Sequence, residues 1–133
     1  MAEILIPSGS GTGKYLVSGK GEYTVPMLSS VGDLVYVTGS KTVGLASNAS
    51  ETTAPVRGVI LEKQAATVAT LLFSGVVAAY AGLIPNEEVF LGVDGSIVYA
   101  AGLPTSPGRV IQLIGTVVDV STILFFPNQL VVL

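Results

Sequence analysis

The chain has 133 residues, of which six are basic and nine acidic; 11% are therefore charged and half are hydrophobic, against about 25% charged in an ordinary soluble domain. Histidine, cysteine and tryptophan are absent, which excludes an imidazole base, a thiolate nucleophile, a disulfide and any His/Cys metal cage. The net charge is −3, and Lys14, Lys20, Lys41, Arg57, Lys63 and Arg109 are scattered singly, so no nucleic-acid partner is expected.

Residues 1–14 read as an N-terminal arm and linker. Ile4, Leu5 and Ile6 form a short apolar tip that stops at Pro7, and residues 8–14, SGSGTGK, have the composition of a pliable tether. Glu3 stands where a secretion signal needs basic residues, so cytosolic synthesis is expected. The tether imitates a phosphate-binding loop, but Ser8 occupies the place of its first glycine and Tyr15 that of its magnesium-binding hydroxyl. A dinucleotide motif counted from Gly9 and Gly11 would need glycine where Lys14 stands. No cofactor is expected.

Residues 15–133 read as one β-domain. Sixteen glycines and seven prolines punctuate runs rich in Val, Ile, Leu, Tyr and Thr, the pattern of an all-β fold. Strands are expected at 33–37, 56–61, 66–73, 76–81, 88–91, 96–100, 110–113, 116–120, 123–126 and 130–133, with Tyr15 opening a further strand-like stretch. Helix formers gather only at 61–69, where Thr67 and Val68 reduce them to a short turn. Asp94-Gly95 is a strong hairpin signal because a primed turn needs positive φ at its centre; Ser40-Lys41 and Ser74-Gly75 are weaker ones. Loops are expected at 47–54 and 102–108, too polar or proline-rich for a sheet interior. The expected architecture is a compact antiparallel sandwich or barrel with a flexible N-terminal arm.

Residues 64–86 carry no charge and reach the ~20-residue length of a membrane helix, but two Thr, a Ser, two Gly and a Pro dilute the strong inserters. Two buried strands turning at Ser74-Gly75 are the preferred reading, and no membrane partner is expected. Asn48-Ala49-Ser50 matches the glycosylation triplet, but without a secretion signal no glycan is expected.

Two halves, about 30–81 and 85–133, resemble each other. Val35, Gly58 and the run Thr70-Leu71-Leu72-Phe73 match Val89, Gly115 and Thr122-Ile123-Leu124-Phe125. Duplication with loop changes and independent construction under the same β rules account for this equally.

Catalytic candidates are poor. Glu87 and Glu88 would point to opposite faces of a strand, Asp94 belongs to a turn, and Asp33 and Asp119 complete the list of paired-carboxylate candidates. Ser18 with Lys20, or Ser40 with Lys41, could be drawn as a nucleophile pair, but a serine-rich chain produces such pairs by accident. Tyr15, Tyr23, Tyr36, Tyr80 and Tyr99 offer stacking faces for a sugar or peptide, though tyrosine in strands commonly packs half-buried. A non-enzymatic structural or binding protein is expected.

The run Gly32-Asp33-Leu34-Val35-Tyr36-Val37, then Lys41-Thr42-Val43 and Ala46 ahead of Pro55-Val56-Arg57-Gly58-Val59-Ile60, resembles small decoration (cement, head-stabilising) proteins of tailed-bacteriophage capsids. It is similar also to the β-rich attachment domains of phage head fibres. Gly75-Val76-Val77, Val93-Asp94-Gly95, Gly115-Thr116-Val117-Val118 and the C-terminal strand at 130–133 continue the likeness, which spans residues 30–133 and rests on the spacing of Gly, Val and Pro. The resemblance implies a homotrimeric virion protein on the outer capsid surface, bridging subunits of the major capsid protein. Ile4, Leu5, Ile6 and Tyr15 are the expected capsid or subunit contacts, and a fibre or adhesin domain binding host glycan is the alternative. The charge deficit itself suggests apolar surface completed by neighbouring subunits.

Overall fold

Turn residues cut the chain into short strands, and in the computed structural model, which describes residues 20–133, every regular element longer than one 3₁₀ turn is a strand. In chain order these are β1 (Lys20–Thr24), β2 (Leu34–Gly39), β3 (Thr42–Leu45), β4 (Gly58–Ala65), β5 (Val68–Leu72), β6 (Gly75–Val77), β7 (Glu88–Leu91), β8 (Ile97–Val98), β9 (Val110–Ile111), β10 (Leu113–Asp119), β11 (Thr122–Phe125) and β12 (Val131–Val132). The fold is all-β, as the composition requires. Strands β1-β3-β2-β4-β5 close into a barrel, β6-β11-β10-β7-β8 form an open sheet, and β9 pairs with β12. The pairings are antiparallel except β1 with β3, which meet in parallel at Thr24 and Thr42.

Turn chemistry explains several joints. Asp94 and Gly95 both have positive φ, 49° and 84°, as a primed hairpin turn requires. This turn also docks on the barrel: the Gly95 amide donates to Ala46 O at 2.6 Å and the Leu34 amide donates to Gly95 O at 2.8 Å. Lys41, at φ 54°, turns β2 into β3. That short strand is absent from the sequence reading, because Thr42–Leu45 contains Gly44, lies between the Gly39–Lys41 turn and the polar loop at 47–54, and looks like loop.

Two expectations are corrected. Ser74-Gly75 does not close a hairpin: β5 stays in the barrel while β6 pairs with β11 in the open sheet, the chain turning away at Gly75, whose φ is 132°. The expected strand at 76–81 accordingly shrinks to Gly75–Val77 and leaves the first half. The uncharged stretch 64–86 thus runs through parts of both sheets; no helix of the described residues is long and apolar enough to cross a membrane.

The barrel and the open sheet share one strand order. Taken as a unit of five, the order third-second-fourth-fifth-first describes both β3-β2-β4-β5-β1 and β8-β7-β10-β11-β6. Register matches residue by residue: Val35 pairs with Gly58, and Val89 with Gly115. Both glycines stand against the matched leucine. A Cβ on Gly58 would lie 3.3 Å from Leu72 O, and one on Gly115 would collide with Leu124 O.

Period-two alternation then fills two cores. Val35, Ile60 and Leu71 point into the barrel with Val25, Val43 and Ala69. Their neighbours Leu34, Val59 and Leu72 form a cross-strand row on the barrel's outer face and pack with Val77, Val89, Val117, Ile123 and Phe125 of the open sheet. Central barrel strands are therefore apolar on both faces, which absorbs within one chain much of the apolar excess that composition assigned to contacts between subunits.

Candidate functional site

Three surface features stand out. The first is the loop between β1 and β2. Its hydrogen bonds are many: the Ser29 amide and Oγ both donate to Pro26 O, Lys63 Nζ donates to Ser29 O at 2.8 Å and Met27 O at 3.3 Å, and the Ser30 amide donates to Asp33 Oδ2 at 2.8 Å. At its far end the Gly32 amide donates to Ile60 O and Tyr80 Oη donates to Gly32 O. Burial raises the Asp33 pKa, partly offset by the Ser30 amide and the Lys63 charge, and burial with the nearby Asp33 charge pushes the Tyr80 hydroxyl far up. The loop is held in one shape, and it displays Met27 at 67% and Leu28 at 91% exposure, with Val31 also exposed. Apolar side chains presented by a braced loop lose little entropy on docking.

The second feature is the open sheet. Among the described residues β6 pairs only with β11, and β8 only with β7, so both outer edges keep free backbone groups that the barrel removes by closure. Across the outer face, Val76, Leu124, Thr116 and Glu88 lie in one row. Val76 and Leu124 are exposed.

The third is a cleft of about 260 Å³ lined by Pro55, Arg57, Pro127, Asn128, Gln129 and Leu130. Beneath it lies Gln112, 1% exposed. Its Oε1 accepts from the Val56 amide at 2.8 Å, while Nε2 donates to Asn128 O at 2.7 Å and Val56 O at 3.4 Å. One buried amide thus fastens both cleft walls.

A second buried amide holds the two sheets together. Asn48, 3% exposed, donates from Nδ2 to Leu91 O and accepts at Oδ1 from Arg109 Nη2 at 2.6 Å; its carbonyl takes Arg109 Nε and the Val110 amide. The polar loop at 47–54 is therefore partly interior, because the polar groups of its buried residues Ser47 and Asn48 are hydrogen-bonded. In this fold the glycosylation triplet is a structural joint, its amide nitrogen buried and bonded.

The residues singled out by sequence are distributed as follows. Ile4, Leu5, Ile6, Tyr15 and Ser18 lie outside the described residues. Glu88 faces outward opposite Thr116, and Asp94 occupies its turn. The Asp119 carboxylate accepts from the Ser121 amide and hydroxyl, which with Thr122 holds its pKa down. No group of three or more acidic side chains among the described residues could hold a metal ion. Lys41 Nζ lies 5.0 Å above the Tyr23 ring, which meets Phe73 edge-on. Tyr36, Tyr80 and Tyr99 pack on the main core. The described tyrosines are thus anchored packing groups dispersed over the fold. Sequence reasoning missed Gln112, Asn128 and Gln129; the available signal was a glutamine amid the apolar run 110–118, where only a satisfied amide is tolerated. No family model and no curated protein matches this chain.

Proposed function

We propose that this chain is a non-enzymatic structural protein that decorates the outer surface of a phage capsid, assembles with itself as a trimer and bridges major capsid subunits. The observation that carries the reading is the braced loop presenting Met27, Leu28 and Val31 to solvent. Such a loop suits docking into an apolar pocket on a neighbouring subunit. The free edges of β6 and β8 support the same reading, since a neighbour can pair with them. The sequence likeness to capsid decoration proteins supplies the shell as partner, and the N-terminal arm, with Ile4, Leu5, Ile6 and Tyr15, is proposed to reach the adjacent subunit. Sedimentation of the purified chain, followed by its addition to undecorated shells of the encoding phage, tests this. A trimer that adds to the shell and raises its melting temperature is expected, with Leu28→Ser adding at least tenfold more weakly. A monomer that leaves shell stability unchanged overturns it.

A further inference from the structure

The cleft between the two units has the marks of a ligand site. Its walls come from distant parts of the chain, Pro55 and Arg57 from the β3–β4 loop and Pro127 to Leu130 from the segment after β11. They are locked together by Gln112, a buried polar side chain in an otherwise apolar layer. The two arginines of the chain differ in use. Arg109 spends its guanidinium on Asn48. Arg57 is exposed at the cleft and makes no side-chain hydrogen bond or ion pair among the described residues, although its amide is pinned to Val35 O. The side-chain amides of Asn128 and Gln129 are likewise without partners among the described residues. A planar guanidinium fork matches a carboxylate, and two primary amides, each both donor and acceptor, match neighbouring hydroxyls. Pro55, Pro127 and Leu130 supply an apolar surface for the C–H face of a ring. An extended peptide is less well served: the prolines lack an N–H, and the amides of Val56, Arg57 and Asn128 already donate within the fold.

We propose that this cleft binds an acidic monosaccharide unit, its carboxylate on Arg57 and its hydroxyls on Asn128 and Gln129. The proposal is independent of capsid decoration, which uses other surfaces. The test is titration of the full chain with glucuronate, followed by amide and side-chain NMR shifts, beside glucose and an N-acetylated dipeptide carrying a free carboxylate. Saturable shifts at Arg57, Asn128 and Gln129 with glucuronate are expected, with glucose binding at least about tenfold more weakly. Arg57→Gln should reduce glucuronate binding by about tenfold or more while leaving the melting temperature unchanged, since the side chain is exposed. Asn128→Ala provides a second variant, expected to weaken glucuronate several-fold. Absence of saturable shifts, equal binding of glucose, tighter binding of the dipeptide, or glucuronate binding unaffected by Arg57→Gln would each overturn the assignment.

Discussion

Replacing Gln112 by methionine keeps the volume of a fully buried side chain while deleting its hydrogen bonds. The variant leaves the buried Val56 amide without its 2.8 Å acceptor and the Asn128 carbonyl without its 2.7 Å donor. The 3.4 Å contact to Val56 O adds little at that length. A buried donor left unpaired costs about 1–3 kcal/mol and an ordinary hydrogen bond about 1 kcal/mol, so the loss should be about 2–4 kcal/mol. At this chain length that corresponds to a melting temperature lower by ~8–16 °C. Urea unfolding followed by circular dichroism measures it, the midpoint falling with little change in slope. A Gln112→Met protein within about 0.5 kcal/mol of the parent would refute the reasoning, since that is the scatter of surface substitutions. It would mean that the two cleft walls hold their places without the amide.

Gly115→Ala should be severely destabilising, at or above the top of the ~1–3 kcal/mol range for overpacking, because its Cβ would meet the main-chain oxygen of Leu124, which cannot rotate away. Gly58→Ala, with 3.3 Å to Leu72 O, should lose less, and comparison of the two urea midpoints checks the order. Two carboxylates should give opposite pH dependences. The Asp119 pKa is lowered in the folded state, so its contribution is present above the unfolded value near 3.8 and is lost as pH falls through the folded value. The Asp33 pKa is raised, so its contribution is full below 3.8 and is lost as pH rises through the folded value. Urea midpoints across pH 2–6 should therefore flatten at the acid end in Asp119→Asn and lose the decline just above pH 3.8 in Asp33→Asn.

Much of the fold was legible because its signals are local. Glu88–Leu91 and the Asp94-Gly95 turn need only strand formers and a residue pair that accepts positive φ. The likeness of Val35, Gly58 and Leu72 to Val89, Gly115 and Leu124 was also visible as spacing. What spacing could not supply was partnership between segments. Val76 and Val77 read as the second arm of a hairpin because nothing local says that Gly75 sends them to another sheet. Thr42–Leu45 is short enough to pass for loop until β2 lies beside it. The candidate surfaces were less legible still. Arg57 and Asn128 are 71 positions apart in the chain, and they meet at one cleft above the buried Gln112, which bonds to both loops. Leu28 looked like one apolar residue among many, since its exposure follows from hydrogen bonds made by Lys63, 35 positions on.

The two cores distribute evolutionary freedom unevenly over the molecule. Leu34-Val35, Val59-Ile60 and Leu71-Leu72 each place one side chain in the barrel and the next against the open sheet. At these six positions the chain has no solvent face on which polar change is neutral. In the open sheet the corresponding outward positions are Glu88, Thr116 and Leu124, each free of both cores. Polar substitution on that outer face should therefore be tolerated, while the six barrel positions admit almost none. Foldability and tolerance of surface change sit here on separate strands.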